Sequence, residues 1–159
     1  MKDFLEAAVG ILIAIVLTAF LSRASVFLVP AVNVFTWVVI YFALEKGELA
    51  GIFLGTACGL LQDALSLGVF GVAGLSKTLL GYLAGFISRK IDVAPFGRNL
   101  LFLFILSSLE LGLWLALMSF IFSRKHFSVG GAFLLQPFVT ALAVGSLFKL
   151  TRKWRREAS

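Results

Sequence analysis

Three ionisable side chains stand in stretches of this chain that otherwise read as apolar. Asp63 and Lys77 lie within GLLQDALSLGVFGVAGLSKTLLGYLAGF, and Glu110 within LFLFILSSLELGLWLALM. A charge at hydrocarbon depth costs at least ~2.5 kcal/mol and is normally turned inward and paired. The chemistry open to these groups is therefore mutual neutralisation, proton relay or contact with a partner. Asp63 falls near the end of its apolar run, and Lys77 has a stem long enough to reach toward it. The expectation is that the two pair, or share a polar network that fixes the hairpin between them. Glu110 sits mid-run, deep enough that it must be neutral or paired with Lys77. Asn33 and Gln136 fall at a similar depth to Asp63 and Lys77. With Pro137 beside Gln136 kinking its helix or freeing a backbone carbonyl, they suggest a polar cavity that opens away from the chain termini. Against this stands a plainer expectation, that each polar group is satisfied by a neighbouring carbonyl.

Turnover chemistry finds little support. The one histidine, His126, falls in a short polar turn with no cysteine or carboxylate arranged around it, so neither a catalytic nor a metal role is expected there. Asp63 and Glu110 lie at different depths, which disfavours an acid and base pair. Cys58 sits in an apolar helix and reads as a small packing residue. No enzyme, no metal and no cofactor is expected.

The elements that must position these groups follow from composition. The chain has 159 residues, is 60% hydrophobic and has a mean hydropathy of +1.04. Soluble domains carry roughly 45–50% apolar residues. Apolar runs long enough to cross a bilayer extend from Phe4 to Leu21, Val26 to Ala43, Leu49 to Leu65, Val69 to Ile87, Leu100 to Phe122 and Gly130 to Phe148. The fold class expected is an all-α, polytopic bundle of six transmembrane helices forming a single membrane domain over residues 1–159. The first run lacks a clear cleavage pattern and reads as a retained helix. The turns, among them SRAS, EKGE and SRKHFS, are short, so successive spans should be antiparallel neighbours. Pro30 falls near the outer start of the second span, where its missing donor matters little.

Charge sets the orientation. Of the 14 Lys and Arg, the side of both termini receives Lys2, Lys46, Arg89, Lys90, Arg98, Lys149, Arg152, Lys153, Arg155 and Arg156. The opposite side receives Arg23, Arg124 and Lys125, and Lys77 is within a span. The positive-inside rule then places both termini in the cytoplasm. The same surplus explains the net charge of +6 without nucleic acid. The tail 149–159, KLTRKWRREAS, reads as a lipid anchor with Trp154 at the headgroups.

Small residues define the packing faces. Gly51, Gly55 and Gly59 recur every four residues, and the next position in the series is Asp63. Gly74, Lys77, Gly81 and Gly85 share one face of the following span. Glycines so spaced let helix backbones approach closely in lipid, so the two spans, joined by a turn containing Gly68 and Gly71, are expected to pack glycine face to glycine face. Gly10, Ala14 and Thr18 form a similar ridge on the first span, on which another membrane helix can dock.

These residues also carry a resemblance. The run Gly59-Leu60-Leu61, Asp63, Leu65-Ser66, Gly71, Leu75, Leu80-Gly81-Tyr82 and Gly85 resembles the central motif of the MreD family of bacterial rod shape-determining proteins. The stretch from Pro30 to Val38-Val39-Ile40-Tyr41-Phe42-Ala43-Leu44 is similar as well. The resemblance implies a non-enzymatic subunit of the cell-elongation machinery in the bacterial cytoplasmic membrane. It would work with the single-span protein MreC, and indirectly with the MreB filament, RodA and a class B penicillin-binding protein. It further implies a bundle similar to the substrate-binding subunit of energy-coupling-factor transporters. Two functions follow as expectations: a membrane adaptor whose outer polar residues select a partner helix, or the substrate-binding subunit of a vitamin-type importer. The sparse outer-loop aromatics, Phe70 and Phe127, favour the adaptor, and a homo-oligomer is compatible with either.

Overall fold

The computed structural model describes residues 2–24, 31–66, 69–90, 96–121 and 131–157. Pro30, Gly68, Arg124, Lys125, His126 and Phe127 lie outside them. Among the described residues every regular element is helical: α1 (Lys2–Ala24), α2 (Val34–Lys46), α3 (Glu48–Ser66), α4 (Val72–Lys90), α5 (Phe96–Ile121) and α6 (Ala132–Glu157).

Four of them, α1, α3, α5 and α6, are long and apolar enough to cross a membrane. The sequence predicts six spans, and the other two helices, α2 and α4, fall short of that length or apolarity over the described residues. The second run does not make one helix from residue 26 to 43. Val32 and Asn33 are not helical, and α2 has 13 residues, a rise of ~20 Å against a hydrocarbon core of ~30 Å. Asn33 is the reason, because its side-chain oxygen accepts from the Thr36 N–H at 3.4 Å and starts the helix there. The fourth run forms α4 in full, but Lys77, Arg89 and Lys90 lower its apolarity. At the other end of the chain, α6 does not stop at residue 148. It continues to Glu157, so the basic tail starts as helix.

The helices alternate in direction. Glu6 of α1 meets Lys46 of α2 at 3.5 Å, and Glu48 of α3 meets Arg89 of α4 at 3.1 Å. The shortest connection is a single residue, Gly47, whose φ of 95° suits a residue without a side chain. Its N–H caps α2 on the Ala43 carbonyl at 2.9 Å, and its own carbonyl accepts from Gly51 at 3.1 Å.

At the centre stands α2, which packs against α1, α3, α4 and α6. Phe35, Val39, Ile40 and Ala43 supply its buried face, joined by Cys58, Leu80, Ala84, Leu103 and Val144 from the surrounding helices. The periphery faces outward with Leu12, Val16 and Phe20 of α1, Phe53 of α3, Phe120 of α5 and Leu134 and Leu142 of α6, as a chain immersed in lipid requires.

Within lipid, apolar burial gives helices no net reason to associate, and close backbone contact takes its place. The α3–α4 pair shows how. A methyl group added at Gly51 would lie 2.2 Å from the Gly81 carbonyl oxygen, at Gly55 2.2 Å from that of Lys77, and at Gly59 2.4 Å from that of Ala73. From the other side, one at Gly81 would meet the Gly51 carbonyl oxygen at 2.1 Å and one at Gly85 the Glu48 nitrogen at 2.3 Å. Gly74 borders a side chain instead, with Leu60 Cδ2 at 3.0 Å. The ridge on α1 is not open to a foreign helix. A methyl at Gly10 would meet the Phe42 ring of α2 at 3.1 Å, and Ala14 is fully buried.

Candidate functional site in the outer half of the bundle

Two polar constructions occupy the half of the bundle away from Lys2 and Glu157. The first closes the α3–α4 hairpin. Asp63 Oδ2 accepts the backbone N–H groups of Gly71 at 2.9 Å, Ala73 at 3.1 Å and Gly74 at 3.2 Å, and Oδ1 accepts that of Ala73 at 3.2 Å. These amides open α4 and have no partners within the helix. A buried carboxylate there satisfies them and complements the positive end of the helix dipole. Asp63 thus does fix the hairpin, but not by pairing with Lys77. Its oxygens are committed to backbone amides, and Lys77 turns toward other helices.

The second construction is centred on Glu110. Lys77 Nζ donates to Glu110 Oε1 in a tight ion pair and to Thr36 Oγ1 at 2.8 Å. The Thr36 hydroxyl lies 3.0 and 3.1 Å from the two Glu110 oxygens and donates to the carboxylate, while Gln136 Nε2 approaches Oε2 at 3.5 Å. Four helices, α2, α4, α5 and α6, therefore meet at one carboxylate. Both charges are almost wholly enclosed, with Lys77 side-chain exposure at 1% and Glu110 at 4%. A buried pair of this kind is tolerable because its geometry is close and its remaining valences are filled. Thr36 is the member that the sequence did not announce. Threonine in an apolar helix looks like packing, although the Asn33-x-x-Thr36 spacing is an N-cap signal that would have placed it in a first turn.

Above this network lies a cavity of about 610 Å³. Thr18 and Ser22 of α1, Asn33 and Phe35 at the head of α2, Gln62 of α3, Glu110 and Trp114 of α5 and Gln136 of α6 contribute to its wall. Of the residues expected around a polar cavity, Asn33 and Gln136 line it, and Glu110 joins them as its floor. Asp63 and Lys77 do not, because one is bound up in the hairpin and the other stands behind Glu110. Gln62 was not anticipated as a site residue, and Thr18 was expected only on the α1 ridge. Each has a buried oxygen without a hydrogen-bond partner among the described residues.

The wall sets carboxamides and hydroxyls among apolar side chains. Among the described residues no group of three or more His, Cys, Asp and Glu side chains could hold a metal ion. Both buried acids are engaged, Asp63 by backbone amides and Glu110 by Lys77 and the Thr36 hydroxyl. Carboxamides and hydroxyls set in an apolar, partly aromatic surface are groups that orient a bound molecule.

Neither a comparison with curated proteins nor one with solved structures yields a match. The model of the family described as rod shape-determining protein MreD, by contrast, matches residues 2–153. It takes in the α3–α4 glycine seam, the Asp63 cap, the four-helix network and the cavity wall alike. The chain belongs to the MreD family of rod shape-determining membrane proteins.

Proposed function

We propose that the chain is a non-enzymatic membrane adaptor of the rod-shape machinery. It binds a single-span MreC-like partner and, through it, helps organise peptidoglycan synthesis with MreB, RodA and a class B penicillin-binding protein. Membership of a shape-determining family supports the general role. The observation that carries the specific one is the outward cavity of about 610 Å³, in which Glu110 is the one charged residue among the described lining and is already neutralised from behind by Lys77. An uncharged segment of a partner finds hydrogen-bonding groups there at Asn33, Gln62 and Gln136, and apolar surface at Phe35 and Trp114. In this reading Asp63, Lys77 and Glu110 hold the site in shape, and Gly51, Gly55, Gly59, Gly74, Gly81 and Gly85 hold its wall. Residues 1–159 form one membrane domain in the bacterial cytoplasmic membrane. With α2 and α4 completing the crossings, both termini lie in the cytoplasm, as the distribution of basic residues favours.

A second reading has the same cavity in its favour. Its volume falls within the roughly 300–1,000 Å³ of small-molecule sites, which suits the substrate-binding subunit of a vitamin-type importer and the likeness to energy-coupling-factor subunits that goes with it.

Affinity purification of the tagged chain from native membranes in mild detergent separates the two. Recovery of a single-span coiled-coil protein with cell-wall synthases is expected, and Asn33→Leu with Gln136→Leu, compared at equal amounts of folded protein on size exclusion, should reduce it severalfold. Recovery of paired ATPases with a second membrane subunit would overturn the adaptor reading.

A further inference from the structure

Among the described side chains of α6, burial differs on the two sides of Pro137. On the cytoplasmic side of Pro137, Thr140 and Val144 are fully buried, Ala141 is 5% exposed, and Gly145 lies so near α5 that an added methyl would sit 2.7 Å from Leu100 Cδ2. On the outer side, Leu134 is 67% and Leu135 57% exposed, so their side chains give that end little purchase on the bundle. Among the described residues ahead of Pro137, Gln136 alone is buried, and the polar contact that holds it is the 3.5 Å approach to Glu110, the longest in the four-helix network. Immediately after it comes Pro137, which cannot donate a backbone hydrogen bond and weakens the helix at that point.

We infer that the outer end of α6, from Ala132 to Gln136, is a flap hinged at Pro137 and latched by Gln136 to Glu110, which opens the cavity sideways to the membrane. Gln136 belongs to the cavity wall, so its release widens the cavity on the side where Leu134 and Leu135 face lipid. A molecule that donates to Glu110 Oε2 competes directly with the latch. The route suits a membrane-embedded apolar segment, which reaches the carboxamides without first crossing an aqueous mouth. Thr36 and Lys77 keep Glu110 in place while the latch is open, so the floor survives the movement.

This inference rests on the cavity being the docking site, but its test is made on the chain alone. Spin labels are placed at Leu135→Cys and Leu65→Cys, above the hinge, or at Leu142→Cys and Phe53→Cys, below it, with Cys58→Ala as background. All four labelled positions are exposed, and the label at Leu65 stands in the cavity wall. Distances are read by pulsed electron paramagnetic resonance in lipid nanodiscs. Gln136→Leu is expected to add a longer-distance population to the upper pair and to leave the lower pair unchanged. Pro137→Ala, with the latch intact, is expected to narrow the upper distribution, and it provides a second readout if Gln136→Leu fails to fold. An upper pair unmoved by both substitutions, or a lower pair that moves equally with the upper, overturns the flap. A flap that opens while no partner is captured from native membranes would sink the docking reading and leave the hinge standing.

Discussion

Lys77 and Glu110, 33 residues apart in sequence, form a buried ion pair that is shared with Thr36. Removing one partner strands a buried charge, which typically costs ~3–5 kcal/mol, whereas replacing both by neutral groups of similar volume is often harmless. Lys77→Met and Glu110→Gln should each lower the thermal unfolding midpoint in detergent markedly. The double variant should regain most of the loss. A double variant as unstable as the sum of the singles would show that the pair contributes nothing through mutual contact.

Asp63 makes a different test. Asp63→Ala deprives the first turn of α4 of its acceptor, with an expected loss of ~1–3 kcal/mol in chemical unfolding. Because Asp63 does not touch Lys77, Asp63→Ala combined with Lys77→Met should be additive within ~0.5 kcal/mol. Strong coupling would restore the pairing that the structure rejects.

The glycines divide by what surrounds them. Gly55→Ala and Gly81→Ala place a methyl 2.2 and 2.1 Å from a backbone oxygen, so α3 and α4 must separate. Loss of monodisperse protein on size exclusion is expected for both. Gly112→Ala has nothing within 4 Å and removes a helix-weakening residue. It should be neutral or stabilising by up to ~1 kcal/mol, and a severe defect would reveal a contact made in an assembly.

Attachment of α1 includes one close approach. Even a methyl at Gly10 would lie 3.1 Å from the Phe42 ring, so the larger side chain of Gly10→Leu should push the two helices apart and release α1. Cysteines at Glu6 and Lys46, whose charged ends meet at 3.5 Å across two long side chains, should then be bridged less efficiently by a bis-thiol crosslinker of matching span. Efficient crosslinking in Gly10→Leu would show that α1 is held by something other than this ridge.

Much of this architecture is legible in the sequence. Glycine at four-residue spacing states a close approach directly, because only backbone can fill the space that an absent side chain leaves, and α3 and α4 meet where Gly51, Gly55 and Gly59 require. Length and hydropathy locate the helices but not their breaks. Asn33 inside an apolar run looks like a polar group within a span, when its side-chain oxygen, accepting from the Thr36 amide, starts the helix there instead. The choice of partner for Lys77 is not legible at all. Asp63 is nearer in sequence, but the long lysine stem points across the bundle, and only the crossing of α4 with α5 decides which acid it meets. Thr36 stays hidden for the same reason, since its role emerges only once α4 and α5 bring Lys77 and Glu110 to it.

Gly47 leaves no slack between α2 and α3, and the glycine seam leaves none between α3 and α4. With Asp63 tying the far end of that hairpin, these three helices can only be displaced together. A pull applied anywhere on them is borne by all, as on a single beam. Any conformational response of the bundle must therefore be expressed by the helices that lean on this beam, α1, α5 and α6, and a partner that grips the cavity has one fixed wall to push against and a movable one to push.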